Sequence, residues 1–326
     1  MTNRYMKIEQ HDVADYKDET MAFTTPHDLD VSNEDLTADQ GNIRPQSSTG
    51  RTTRPGLSGT FGISGSIDTP IFTVGTPTLF YYALGAVATV VDMPVATLQT
   101  HTITKSSTAL PYWQAEIGRD INAHNYTGGQ MDGFSMSYVP DATIDASFDV
   151  VFRKEIAVSA LSAITFPDYD AVERAHTGVE VDTRYDDKGG SPVTVDFIES
   201  FDIDVGNSVE DGAFVVGDRY LPSNIINGLE ITGSSEFRFS AITNYQDFLD
   251  AQAKAIELDF NNAGTTTAER QFQITLPNIV YDTTSLPTSN IERYVQSVDF
   301  TCEVDSTGEP IYIDVINLET AALLTA

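Results

Sequence analysis

Between Phe134 and Phe152 the chain alternates apolar residues with small or acidic ones on both sides of one turn signal. Phe134, Met136 and Tyr138 alternate with Ser135 and Ser137, and Pro140-Asp141 breaks the run. Ile144, Ala146, Phe148, Val150 and Phe152 then alternate with Asp145, Ser147 and Asp149. Successive side chains of a strand point to opposite faces. Residues 131–155 therefore predict a long antiparallel hairpin with one greasy face and one face of small and acidic residues.

The same grammar recurs along the chain. Phe61, Ile63, Gly65 and Ile67 alternate with Thr60, Gly62, Ser64 and Ser66. Phe201, Ile203 and Val205 alternate with Ser200, Asp202 and Asp204, with residues 214–216 read as the returning strand. Residues 229–232 and 237–239 read as two further strands, and Phe272, Ile274 and Leu276 mark another. Val298, Phe300, Cys302 and Val304 face away from Asp299, Thr301, Glu303 and Asp305, and Gly308 turns that strand toward Ile311, Ile313 and Val315. Thr76-Pro77 predicts the start of a short helix, Thr as cap and Pro in the first turn, with a stripe of Leu79, Tyr82, Ala83 and Ala86. Asn244-Tyr245 predicts a second helix, over 245–256.

The expected fold is mainly β with short helices, and the order of elements reads as a duplication. Copy one spans 57–155, copy two spans 193–326, and 156–192 connects them. Residues 1–56 hold few periodic apolar positions and are dense in Asp, Thr, Ser, Pro and Gln, so they read as an extended arm. Arg44, Arg51 and Arg54 make its end basic and suited to clasping an acidic neighbour.

Charge narrows the functions. The 326 residues carry 48 acidic and 18 basic side chains, a formal net charge of -30. Asp outnumbers Glu 31 to 17, Lys occurs six times, and the acids run along the whole chain. Binding nucleic acid relies on Lys and Arg neutralising phosphates, so this surface excludes a DNA-binding role. Dispersed charge of this size also repels itself unless salt screens it, which fits a highly saline setting. No apolar run reaches the ~20 residues of a membrane-spanning helix, and the first 18 residues show no apolar core of a secretory signal. Cys302 is the single cysteine, which excludes disulfides and Cys-based zinc clusters.

A search for chemistry finds little. His11, His27, His101, His124 and His176 form no HExxH or HxH arrangement, and no GxSxG elbow or phosphate-binding Walker sequence occurs. The pairs Asp168/Asp170, Asp186/Asp187 and Asp202/Asp204 lack the calcium-loop pattern, and 31 Asp produce such pairs by chance. Asn125-Tyr126-Thr127 is an N-glycosylation acceptor sequence, relevant only in a glycosylating compartment. Trp113 reads as a packing or subunit-contact aromatic, and Cys302 as a small buried hydrophobe. No catalytic residue, cofactor site or metal site is expected.

Residues 72–86 (Phe-Thr-Val-Gly-Thr-Pro-Thr-Leu-Phe-Tyr-Tyr-Ala-Leu-Gly-Ala) lead to His101-Thr102-Ile103 and then to Leu110-Pro111-Tyr112-Trp113. Gly128-Gly129-Gln130-Met131-Asp132-Gly133-Phe134 and the acidic hairpin come next, and Asn227-Gly228-Leu229-Glu230-Ile231-Thr232-Gly233-Ser234 lies further on. That succession resembles the tail tube proteins of long-tailed, siphovirus-like viruses over roughly residues 57–318. The Lys-poor composition suits a virus of halophilic archaea.

The resemblance implies a β-sandwich or barrel-type subunit whose sheet joins an inner β-barrel shared around a ring. It implies homo-oligomeric rings stacked into a tube, tape-measure and tail-terminator or baseplate partners, transient passage of DNA, and residence in the virion tail after synthesis in the host cytoplasm. Two copies per chain favour a three-subunit ring with pseudo-sixfold symmetry over a ring of six. Alternation makes Asp145, Asp149, Asp202, Asp204, Asp299 and Glu303 the candidate lumen carboxylates. The rival readings are a capsid or baseplate component, a halophilic cell-surface module, and a carbohydrate-active enzyme using paired carboxylates.

Overall fold

Two long, bent strands organise the molecule. In the computed structural model, which describes residues 4–11, 23–44, 56–91, 98–164, 166, 181–223, 225–239, 243–261, 270–285 and 294–318, the fold is mainly β. Its first part contains β1 (Arg4–His11), β2 (His27–Leu29), β3 (Asn33–Glu34), β4 (Thr37–Ile43), β5 (Leu57–Pro70) and helix α1 (Thr76–Leu84). There follow β6 (Gly85–Val91), β7 (Gln99–Lys105), β8 (Tyr112–Arg119), β9 (Asn122–Tyr138), β10 (Asp145–Phe152) and β11 (Lys154–Ser159). The second part has β12 (Val181–Asp187), β13 (Val193–Thr194), β14 (Ile198–Gly206), β15 (Val209–Glu210), β16 (Ile225–Ile226), β17 (Glu230–Arg238) and helix α2 (Thr243–Leu249). It ends with β18 (Lys254–Asn261), β19 (Gln271–Ser285), β20 (Val295–Cys302) and β21 (Tyr312–Asn317).

The hairpin expected from alternation is β9 and β10, paired with Phe148 opposite Phe134 and Ser147 opposite Ser135. The last half of β9 also pairs with β14, and its first half pairs with β8 and β11. β19 behaves alike: its first half pairs with β18 and β21, its last half with β20. One sheet thus runs β4-β5-β10-β9-β14-β17-β20-β19, antiparallel at every step. Its apolar face is buried through Ile67, Phe148, Phe134, Ile203, Phe237 and Phe300. Phe80 of α1 fills the space beneath, its ring 5.0 Å from both Phe134 and Phe148 and 5.3 Å from Phe272.

Pairing in the second part repeats that of the first. β8 pairs with β1 and β9, as β18 pairs with β12 and β19. β10 lies between β5 and β9, as β20 lies between β17 and β19. Letters follow the register: Ile63-Ser64-Gly65-Ser66 of β5 matches Ile231-Thr232-Gly233-Ser234 of β17. Val150 faces Gly65 where Phe300 faces Gly233. Both glycines admit a neighbouring backbone. A Cβ on Gly65 would stand 2.8 Å from Leu36 Cα, and one on Gly233 would stand 2.4 Å from Asp202 O. Among the described residues the hairpin β6–β7 has no counterpart in the second part, and its β7 pairs with β21.

Several expectations are corrected. β20 and β21 are not hairpin partners, because each joins a different half of β19. Residues 214–216 form no strand; Val209–Glu210 pairs with Ile225–Ile226 instead. The expected strands at 229–232 and 237–239 are one strand, β17, continuous through its serines. α2 ends at Leu249, and the chain enters β18 at Lys254. α1 has no one-sided stripe, since all its residues are buried, and its N-cap is Gly75 rather than Thr76. Where an extended arm was expected, β1 lies against β8 with Tyr5, Met6 and Ile8 buried, and β4 lies along β5. Within the expected connection, β12 pairs with β18. Trp113 is fully buried, stacked on Tyr82 and edge-on to Phe152, so it is a packing aromatic.

Candidate functional site

The outer face of the β4–β19 sheet carries the residues that alternate with its core. Registers place them in rows across the strands. Asp68 faces Ser147, Ser147 faces Ser135, Ser135 faces Asp204, and Asp204 faces Thr232. In a second row Ser137 faces Asp202, Asp202 faces Ser234, Ser234 faces Asp299, and Asp299 faces Thr283. Small hydroxylic residues separate the carboxylates along each row.

These rows line a depression of about 790 Å³ that includes Asp68, Asp145, Asp202, Asp204, Asp282 and Asp299 and no Lys or Arg. Hydroxyls rather than cations hold the carboxylates. Ser147 donates to Asp68 at 2.6 Å, Thr301 to Asp282 at 2.6 Å, Ser234 to Asp202 at 3.3 Å, and Thr283 to Asp299. Asp149 lies in an adjoining hollow with Asp35, Asp132 and Asp211. Partial burial raises its carboxyl above the usual range, and the negative charges of Asp132 and Asp204 add to the rise. Burial and the neighbouring Asp68 raise Asp145 in the same way.

Cations are used elsewhere. Arg119 grips Glu34 through two hydrogen bonds of 2.8 Å, Arg184 bridges Glu257 and Asp259, and buried Lys254 bridges Asp187 and Asp247. Each ties one segment to another, and none of them lines the depression.

Of the six carboxylates singled out in the sequence, Asp145, Asp202, Asp204 and Asp299 share the depression. Asp149 is electrostatically joined to it through Asp204. Glu303 lies past the end of β20, exposed, where Asn278 reaches it at 3.4 Å. Sequence reasoning missed Asp68 and Asp282. Asp68 continues the Ser64, Ser66 alternation and was readable; Asp282 sits on a bulge that breaks its strand's period. Arg44 is exposed just beyond β4, while Arg51 and Arg54 lie outside the described residues.

The arrangement presents an acidic, hydroxyl-rich surface with no cation in its depression. Among the described residues no group of three or more His, Cys, Asp or Glu could hold a metal ion. Cys302 is buried, and burial pushes its thiol up to about 12, leaving it protonated and inert at neutral pH. His101 is fully buried between Thr89 and Asn317 at 2.9 and 3.0 Å, a structural position.

No curated protein matches the chain. The sequence profile of the phage tail tube protein family matches residues 14–302, a span that takes in every strand of the acidic sheet, and the chain belongs to that family.

Proposed function

We propose that the chain is the repeating subunit of a siphovirus-type tail tube, in which copies close into rings, rings stack, and the acidic sheet lines a lumen that conducts DNA. One observation carries this reading: the depression in the outer face of the eight-strand run β4 to β19 is lined by aspartates and hydroxyls, with no basic residue. Phosphates passing such a wall find no Lys or Arg to displace their counterions, so DNA slides without being retained. Asp145, Asp149, Asp202, Asp204 and Asp299 line the lumen in this reading, and Glu303 stands at one end of it. The role is structural rather than catalytic.

We put two tube-type units in the chain, at 4–159 and 181–317, a division supported by the recurrent pairing. Two units per chain favour a three-subunit ring with pseudo-sixfold symmetry over a six-subunit one. Tape-measure and terminator or baseplate proteins are the expected partners, the basic residues Arg44, Arg51 and Arg54 bridge neighbouring copies, and the charge fits the virion of a virus of halophilic archaea. A charge of -30 requires screening before like subunits can meet. Negative-stain electron microscopy of the purified protein in molar salt is the test. Tubes of stacked rings are expected; a protein that stays monomeric there, even with the other virion proteins present, sinks the reading.

A further inference from the structure

Two strand edges of the acidic sheet have no strand partner among the described residues: the outer side of β4, and the outer side of β19 over residues 280–285. An unpaired edge is a template for another strand. The eight strands alternate in direction, so β4 and β19 run oppositely. A second copy presenting β4 to β19 therefore adds antiparallel, continuing the same sheet.

Inside the chain the same kind of junction already exists, where β14 adds to β9. There Ser135 faces Asp204 and Gly133 faces Gly206. The correspondence between the two halves is fixed by register. In the first half Phe148 faces Phe134 and Asp149 faces Gly133; in the second Val298 faces Thr284 and Asp299 faces Thr283. Ser135 therefore corresponds to Ser285, and Gly133 to Thr283. On the other side of the junction, Asp204 faces Thr232 of β17, as Thr37 faces Ser64 of β5. Thr37 thus corresponds to Asp204 and Asp39 to Gly206.

We infer that the ring closes by pairing β19 of one copy with β4 of the next, in the register that sets Ser285 opposite Thr37 and Thr283 opposite Asp39. The partner is a second copy of this chain, and the inference rests on the ring-forming reading above. It makes the intersubunit junction a repeat of the β9–β14 junction, so internal and external junctions alternate around the ring. Both edges carry acid, Asp35 and Asp39 on one and Asp282 on the other. Repulsion between them keeps subunits apart at low salt and yields when salt screens it.

The test is the full-length double variant Thr37→Cys/Ser285→Cys, both native residues being exposed. Directly opposed Cβ atoms lie about 4.5–5.5 Å apart across antiparallel strands, close enough for oxidation to link them with slight adjustment. Ile43→Cys/Ser285→Cys is the control, with its cysteine about 20 Å further along β4. Mild oxidation in molar salt should give the first variant a covalent ladder that ends at the ring number, and should leave the control and both single variants as monomer bands. Hydrogen exchange on the unaltered protein should show new protection at 37–40 and 283–285 on assembly. Tubes seen by microscopy without the ladder or the protection, or with an equal ladder in the control, overturn the register and leave the tube reading standing. Absence of tubes, ladder and protection together overturns both.

Discussion

Asp132 and Asp282 each occupy the skipped position where a long strand bulges against the strand that follows it. Pairing passes from Gly133–Asp149 to Met131–Val150 in one half, and from Thr283–Asp299 to Tyr281–Phe300 in the other. A bulge adds a residue and bends its strand, which is where β9 and β19 leave the acidic sheet for other partners. The two aspartates differ in what they hold. The Asp132 carboxylate accepts the Val209 N–H at 2.7 Å and its carbonyl accepts the Asn207 N–H at 2.6 Å, whereas Asp282 accepts only the Thr301 hydroxyl among these contacts. Asp132→Ala strands a partly buried N–H and should cost about 1–3 kcal/mol, while Asp282→Ala should change stability by no more than about 0.5 kcal/mol. Urea unfolding of the unassembled protein checks both, and equal losses would contradict the assignment.

Phe80 joins the two halves of the core, touching Phe134 and Phe148 from one and Phe272 from the other. Phe80→Ala opens a cavity that no single sheet can close, at a cost of about 3–5 kcal/mol. A single cooperative transition at lower denaturant is the expected outcome. Two separated transitions would show instead that the halves unfold independently.

Faces were legible in the sequence and partners were not. Alternation around Phe134 and Phe148 located β9, β10 and their acidic side, because side-chain period is a local property of the strand. It could not say that β20 and β21 part company at β19, since that depends on residues of another strand. Serines 234 and 235 looked like a break in β17, yet Ser235 is buried and donates to the Ser200 carbonyl at 2.8 Å. Asp282 was hidden by its own bulge. The first strand shows no apolar alternation in the sequence, because Tyr5, Met6 and Ile8 stand among Lys7 and Glu9, both buried as well. Lys7 is held by the Ala163 carbonyl at 2.9 Å, and Glu9 by the backbone N–H groups of Thr24 and Thr25 at 2.9 to 3.0 Å.

Asp149 should destabilise the subunit at neutral pH. Burial and then the nearby carboxylates raise its folded value above the unfolded one. A carboxyl so shifted binds its proton better when folded, so stability rises as pH falls through the folded value and the penalty is fully present at pH 7. Because the side chain is only partly buried and keeps much of its surface in solvent, screening limits the effect to about 0.5 kcal/mol. Asp149→Asn should melt higher than the unaltered protein at pH 7 and low salt, with the gap closing below about pH 4 and in molar salt. A lower melting temperature at pH 7 would contradict this.

Lys254 is a buried cation whose loss exposes a structural dependence on charge pairing. Burial pulls its amine down, but hydrogen bonds to Asp187 and Asp247 at 2.6 and 2.7 Å outweigh that and raise it. Asp187 is largely exposed, so Asp247 of α2, 15% exposed, is the partner that matters. Lys254→Met leaves that carboxylate unpaired and should cost about 3 kcal/mol. Adding Asp247→Asn should recover most of the loss, as a double-mutant cycle in denaturant would measure. Full additivity of the two changes would rule the pairing out as the cause.

Charge reversal on the acidic rows separates a conduit from a mere halophilic surface. Asp202 and Asp204 sit at the centre of the depression, next to one another in its two rows. Asp202→Lys/Asp204→Lys places two cations per chain where phosphates pass in the proposed tube, and the proposed ring assembly would repeat them around its circumference. Tubes of this variant should retain DNA in a filter-binding assay, with an affinity that falls steeply as salt rises. Tubes of the unaltered protein should not. Asp182→Lys changes charge on β12, outside the acidic sheet, and should leave DNA unbound inside the tube. If the Asp182 variant retains DNA as strongly as the double variant does, the acidic rows are no more than part of a generally hydrated surface. If only the double variant does so, those rows are the wall that keeps DNA moving.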